Sequence, residues 1–196
     1  YSINAGTGMI RLNGDILTNG GLISLTANNL ILMKSVTIDS NADELTNTNH
    51  TGISGAININ ASKISANAEG YTLTLDSGSQ TAASGVVNIN YNNTFDNTAI
   101  SGFGGKYLGG LSLKSTKAGV GGTDAGINFY SLTTNLKGTF RAEGTVSMPY
   151  GANINTNFDN GLTNAGDILF AGASLSTTPN YNFTFTAKST LGHGGK

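Results

Sequence analysis

Apolar residues recur along this chain with a period of two, and helical periodicity is almost absent. The strong helix formers never gather with apolar residues at three-and-four spacing, whereas alternation returns repeatedly. One short pattern recurs: a small residue, usually Gly, one free position, two apolar residues separated by a free position, then another small residue two further on. It reads Gly8-Met9-Ile10-Arg11-Leu12-Asn13-Gly14, Gly21-Leu22-Ile23-Ser24-Leu25-Thr26-Ala27 and Gly55-Ala56-Ile57-Asn58-Ile59-Asn60-Ala61. It returns as Gly85-Val86-Val87-Asn88-Ile89, Gly109-Gly110-Leu111-Ser112-Leu113-Lys114-Ser115 and Gly166-Asp167-Ile168-Leu169-Phe170-Ala171-Gly172. Weaker copies are Ile127-Asn128-Phe129 and Phe183-Thr184-Phe185-Thr186-Ala187, and Ala152-Asn153-Ile154 fills a gap between them.

The mean spacing of these copies is about 22 residues, inside the window that signals a repeat architecture. That length suits one coil of a parallel β-helix: three short strands with turns between them. A single coil cannot bury its inward residues, but stacking coils ~4.8 Å apart pairs every backbone group and builds a continuous apolar column. The pattern therefore predicts an all-β fold, a single-stranded parallel β-helix (solenoid) of about 8–9 coils and about 40 Å, spanning residues 1–196. A β-sandwich is the alternative, but sandwich turns usually bring more than the two prolines here, Pro149 and Pro179, and a sandwich gives the motif no reason to repeat.

Three segments interrupt the pattern and are expected to be irregular loops: residues 40–54, 92–108 and 115–125. Insertions in solenoids gather on one face, and that face often binds. Thirteen of the fifteen Phe and Tyr residues lie beyond residue 90. The later coils are accordingly expected to have a wider core, with an aromatic glycan-binding surface as the alternative reading.

Composition narrows function more than it names one. Charged residues make up 11% and the net charge is −1, which removes the footprint of a nucleic-acid binder. The absence of Cys excludes a disulfide framework, a thiolate zinc site and cysteine catalysis. No apolar run approaches the ~20 residues of a membrane-spanning helix, and no membrane insertion is expected. The start, Tyr1-Ser2-Ile3-Asn4, has no features of a signal peptide, so the chain reads as a fragment or processed unit whose export signal lies elsewhere.

Catalytic raw material is sparse. The eleven acids are scattered, mostly beside Asn or Gly at expected turns, whereas glycoside chemistry needs convergent carboxylates. Of the two histidines, His50 falls in an expected loop and His193 in a Gly-rich tail, and no Gly-x-Ser-x-Gly elbow accompanies them. Gly119-Val120-Gly121-Gly122-Thr123-Asp124 lacks the register of a calcium-binding nonapeptide repeat. No catalytic residue, metal site or cofactor is expected and the chain reads as a non-enzyme, with a carbohydrate-active enzyme on the same scaffold as an alternative, because coils bring distant acids together.

The phrases from Leu12 to Asn29 and from Gly55 to Ala61, with Val36-Thr37-Ile38-Asp39-Ser40 and Tyr71-Thr72-Leu73-Thr74-Leu75, resemble filamentous-haemagglutinin-type exoproteins. These are bacterial adhesins exported by two-partner secretion, and the resemblance covers residues 1–90 best. It implies a right-handed β-helical rod at the bacterial outer surface or in the extracellular space. It also implies attachment to host-cell or bacterial surface glycans and proteins. The secretion-domain signatures Asn-Pro-Asn-Leu and Asn-Pro-Asn-Gly are absent, so the chain corresponds to shaft or adhesive region. Within the loops, His50, Phe103, Lys106 and Tyr107 are the candidate ligand contacts. Unpaired edges at the ends of such a rod also allow head-to-tail self-association into filaments.

Overall fold

Every recurrent motif forms a strand, and the strands are laid down as successive turns over three faces. The computed structural model describes residues 1–42, 54–79, 83–90, 98–102, 104, 106–116, 125–157, 164–172, 175–177, 179, 181–188 and 195–196. The first turn contains β1 (Ser2–Asn4), β2 (Met9–Leu12) and β3 (Ile16–Leu17). In the second, β4 (Ile23–Leu32) bends across two faces before β5 (Val36–Asp39), and the third repeats this with β6 (Ile57–Ala66) and β7 (Thr72–Asp76). The fourth turn has β8 (Val87–Ile89), β9 (Thr98–Ile100) and β10 (Gly110–Lys114). The fifth has β11 (Ile127–Phe129), β12 (Ser131–Asn135) and β13 (Phe140–Glu143). The sixth has β14 (Val146–Ser147), β15 (Ala152–Asn155) and β16 (Ile168–Ala171), and the last β17 (Leu175–Ser176) and β18 (Phe183–Thr186). The described residues contain no helix.

All pairing between these strands is parallel. The first face is one unbroken register, Ser2–Ser24–Asn58–Asn88–Asn128–Ser147–Ser176. The second runs Ile10–Leu30–Ile64–Ile100–Thr134–Ile154–Phe185. The third runs Ile16–Ile38–Leu75–Leu113–Ala142–Phe170. Because β4 and β6 each serve two faces, the first two join into one 12-stranded curled sheet beside a 6-stranded one.

Among the described residues the ladders are seven, seven and six strands deep, against the eight or nine coils expected. The physical reason is that the 22-residue spacing is not the rung repeat. Motif copies starting at Ile23 and Ile57 share the first face, whereas those at Ile10 and Phe183 lie on the second and those at Leu111 and Ile168 on the third. The length of a turn varies widely, from Asn88 to Asn128 in one case and from Asn128 to Ser147 in the next.

Alternation within each strand sends one set of side chains inward, and parallel register stacks like upon like. Ile23, Ile57, Val87, Ile127 and Val146 form one such column; Val36, Leu73, Leu111 and Phe140 form another, and all are essentially inaccessible. These columns meet in one buried cluster that runs from Ile10 to Ile154. Where the chain turns onto the third face, glycines of successive turns stack closely: Gly70, Gly109, Gly138, Gly166 and Gly195. A Cβ on Gly138 would fall on the carbonyl oxygen of Gly109, and one on Gly166 would fall on the backbone of Gly138. Close approach of backbones is what demands glycine here.

The small residue that closes the motif also has a structural task. Ser40, Ser77 and Ser115 end the third face on consecutive turns, and all three are fully buried. Their hydroxyls donate to the carbonyls of Gly55 (2.7 Å), Gly85 (2.6 Å) and Gly85 (2.7 Å) where the first face begins. Each thereby satisfies a buried polar group at a corner.

The irregular segments are partly absorbed by this scheme. In the 40–54 segment, residues 43–53 lie outside the described residues, while Ser40, Asn41 and Ser54 at its margins are buried rather than solvated. The 92–108 segment contributes β9 and the buried Leu108, which bridges to Leu136. Of 115–125, residues 117–124 lie outside the described residues, and the Ala125 amide donates to Ser84 Oγ at 2.9 Å.

Candidate functional site

Of the four loop residues singled out by sequence, His50 and Phe103 lie outside the described residues, as does His193. Lys106 is exposed and Tyr107 is half-buried next to it in the chain. The Tyr107 ring lies so close to Gly102 that a Cβ there would sit 2.8 Å from it. That packing holds Tyr107 in place as part of the fourth turn.

Three outward surfaces emerge that only the register could assemble. On the third face, Asp39, Asp76, Lys114 and Glu143 occupy consecutive turns of a single row. Residues scattered over a hundred positions thus become neighbours. Lys114 Nζ pairs with Asp76 Oδ2 at 3.0 Å. Burial opposes the Lys114 charge, but the Asp76 hydrogen bond and the charges of Asp76, Glu143 and Asp39 outweigh it and raise its pKa. Arg141 Nε donates to Glu143 Oε1 within β13, and Lys137 pairs with Glu69 at 2.8 Å.

The carboxylates in this row are occupied with structure. Asp39 Oδ1 accepts from the Asn41 amide at 2.8 Å and Asp76 Oδ1 from the Gly78 amide at 2.8 Å, each closing a turn as its strand ends. Among the described residues no cluster of three or more His, Cys, Asp or Glu is placed to hold a metal ion. Beside the row, Thr72, Thr74, Ser112, Thr139 and Arg141 border a shallow groove of about 450 Å³ floored by Gly109, Gly110 and Gly138.

The second is an asparagine ladder on the outward side of the first face, with Asn58 and Asn128 half-buried and Asn88 between them buried. Asn88 Nδ2 donates to Asn58 Oδ1 at 2.7 Å, and Asn128 Nδ2 donates to Asn88 Oδ1 at 2.8 Å. The same position of the motif carries an amide on three consecutive turns, and parallel register aligns them.

The third is a tyrosine corner where the first face turns into the second. Tyr130, Tyr150 and Tyr181 follow β11, β14 and β17, with ring centroids 5.8 and 5.6 Å apart and planes inclined at 62° and 74°. The sequence reason is clearest at Tyr150, in the turn Met148-Pro149-Tyr150-Gly151. The Gly151 amide closes it on the Met148 carbonyl at 3.0 Å, and Gly151 takes φ +72°. Pro suits the second position of such a turn. Both prolines of the chain, Pro149 and Pro179, fall in this corner on successive turns.

The uneven distribution of aromatics therefore has two causes. Phe129 and Phe140 are fully buried with centroids 5.7 Å apart, and Phe140 meets Phe170 at 5.6 Å, so the later core does hold larger side chains. The tyrosines lie outside that core. By sequence they belong only to the late excess of aromatics, for which a glycan-binding surface is the alternative to a wider core, because the signal, one Tyr per turn just before a β pattern, is visible only when turn boundaries are known. Comparison with protein-family models, with curated proteins and with solved structures finds no match to the chain.

Proposed function

We propose that this chain is a segment of a right-handed parallel β-helix in a secreted bacterial surface fibre, serving as structural and adhesive material rather than as a catalyst. The observation that carries the reading is the continuous register of three parallel ladders over one apolar core. Such an architecture gives reach and a regular outer surface with little need for charge or oxidation. The resemblance to filamentous-haemagglutinin-type exoproteins supplies the cellular setting: export by two-partner secretion and contact with surface glycans or proteins. The use of Asp39 and Asp76 as turn closures supports a non-catalytic role for the acidic row.

The test is adherence of the purified chain, immobilised on beads, to a glycan and host-matrix panel and to whole cells. Saturable binding to one ligand class with β-sheet circular dichroism retained is the expected result. A folded chain that adheres to nothing on the panel and to no cell would remove the adhesive half of the reading. A second reading, head-to-tail filament formation, is favoured by one observation: the last strands present Leu175 and Phe185, which are 37% and 41% exposed. Concentration-dependent sedimentation tests it.

A further inference from the structure

The tyrosine corner is more than the fold requires. In the third and fourth turns the positions level with Tyr130 are Asn60 and Asn90, and the bend of the second and third turns is made by Asn28 and Ser62, with Ser62 Oγ donating to the Asn28 carbonyl at 2.8 Å. Small polar residues therefore suffice to turn the chain there. In the later turns the core is already filled by Phe129, Phe140 and Phe170. Yet Tyr150 and Tyr181 remain 38% and 46% exposed. Exposed aromatic rings aligned in a row are apolar surface held in water, and such patches mark contact sites.

We propose that Tyr130, Tyr150 and Tyr181 form a platform for a neutral oligosaccharide that runs along the ladder axis. The inference rests on the adhesive reading and names its ligand class. Three features of the corner select that class. Ring centroids recur once per turn, so an extended chain of pyranoses meets an aromatic face or edge at each step. Tyr combines an apolar ring with a polar tip, matching a sugar's apolar C–H face and its hydroxyl rim. The flanking outward positions on the second face are Thr133, Asn153 and Thr184, in register on three turns. Amides and hydroxyls of this kind both donate to and accept from sugar hydroxyls.

Charge decides between neutral and ionic ligands. Residues 127–135, 146–155 and 175–186 contain no Asp, Glu, Lys or Arg. Among the described charged side chains of these turns, Lys137, Arg141 and Glu143 lie on or at the margin of the third face in ion pairs, Asp167 precedes β16 on that face, and the exposed Lys188 lies past the end of β18, seven residues from Tyr181. Among the described residues, a uronate or sulfated glycan would find no counter-charge at the corner. A neutral one needs none.

The chain has no Trp, so its intrinsic fluorescence comes from its seven tyrosines, three of which form the platform, and the Tyr150 and Tyr181 variants assign the change to it. Cellohexaose, xylohexaose and chitohexaose serve as neutral probes and polygalacturonate as the acidic one. At least one neutral probe is expected to give a saturable change that persists in about 0.5 M salt. Tyr150→Ala and Tyr181→Ala should each weaken it at least about tenfold, and Tyr→Phe at either position should stay within about threefold of the parent. Asn153→Ala leaves every ring in place and should still weaken binding several-fold, which separates recognition from folding. The proposal is overturned if no neutral hexasaccharide binds, if only polygalacturonate binds, or if folded Ala variants bind like the parent.

The bead assay keeps the two readings apart. If parent and Tyr→Ala beads adhere to cells equally, the platform falls and the adhesive reading stands. If parent beads adhere to nothing, the adhesive reading falls while the titration still decides the platform.

Discussion

At the scale of the residue, glycines of one type by sequence have opposite tolerances. Gly138 lies where a Cβ would collide with the Gly109 carbonyl, and neither backbone can yield without shifting a turn. Gly138→Ala should therefore cost at least about 3 kcal/mol, the upper end of overpacking penalties. Gly14 has open space around its would-be Cβ and no positive φ, so Gly14→Ala should be neutral or slightly stabilising. Urea unfolding of the pair is the measurement, and equal midpoints would contradict the stacked-glycine account. Lys114 offers a second contrast. Its folded pKa is raised above the ordinary 10.5, so the protonated form is favoured by folding. That contribution is complete below the unfolded value and is lost as pH rises through the folded one. With the side chain 40% exposed, solvent screening keeps it below about 1 kcal/mol. The advantage of the parent over Lys114→Met should be present near pH 9 and shrink above pH ~10.5; a gap independent of pH would argue that the contribution is packing alone.

At the scale of the element, the asparagine ladder predicts an ordering rather than a single number. Asn is depleted in strands, so three in register need a reason. Asn88 both donates and accepts within the ladder, whereas Asn58 and Asn128 each make one of its bonds. At about 1 kcal/mol per neutral hydrogen bond, Asn88→Ala should cost about twice what either end variant costs. Equal losses at all three positions would show that the amides act independently. The same element explains what was legible beforehand. Ile57-Asn58-Ile59, Val87-Asn88-Ile89 and Ile127-Asn128-Phe129 are plainly strands by alternation, with the correct residues inward, and each proves to be one. Alternation carries no information about which of three faces a strand occupies. Two segments such as Leu111-Ser112-Leu113 and Ile57-Asn58-Ile59 look identical yet lie in different sheets. The ion-paired row and the membership of the tyrosine corner depend on that assignment, and so the row is not visible in the sequence and the aromatics point only to a surface with no place in the fold.

At the scale of the whole molecule, stability should be graded along the ladder axis, because each turn contacts only its neighbours. Side chains inward on the middle turns, such as Leu25, Ile59, Leu75 and Leu113, are at most 1% exposed. Among the described residues, the exposed large apolar side chains fall toward the two ends: Tyr1, Met9, Leu17 and Leu22 at one, Tyr150, Leu175, Tyr181 and Phe185 at the other. Charge contributes little to this gradient, since the described ion pairs sit outside the core and are partly exposed. Hydrogen exchange should therefore find β6, β7 and β10 opening only with global unfolding, and β17 and β18 opening locally at lower free energy. Uniform protection from β1 to β18 would mean that the chain unfolds as one unit. The same experiment bears on filament formation. The last strands of the first two ladders, β17 and β18, have a strand partner on one side only, whereas the Ile168 amide of β16 already donates to the Lys196 carbonyl; a second copy docking on β17 and β18 would supply the missing backbone bonds and cover Leu175 and Phe185. Protection of β17 and β18 would then rise with protein concentration, together with that of β1, β2 and β3, while the middle turns stayed constant. Concentration-independent exchange at both ends would leave the chain acting as a single rod whose contacts are made through its sides, where the tyrosine corner lies.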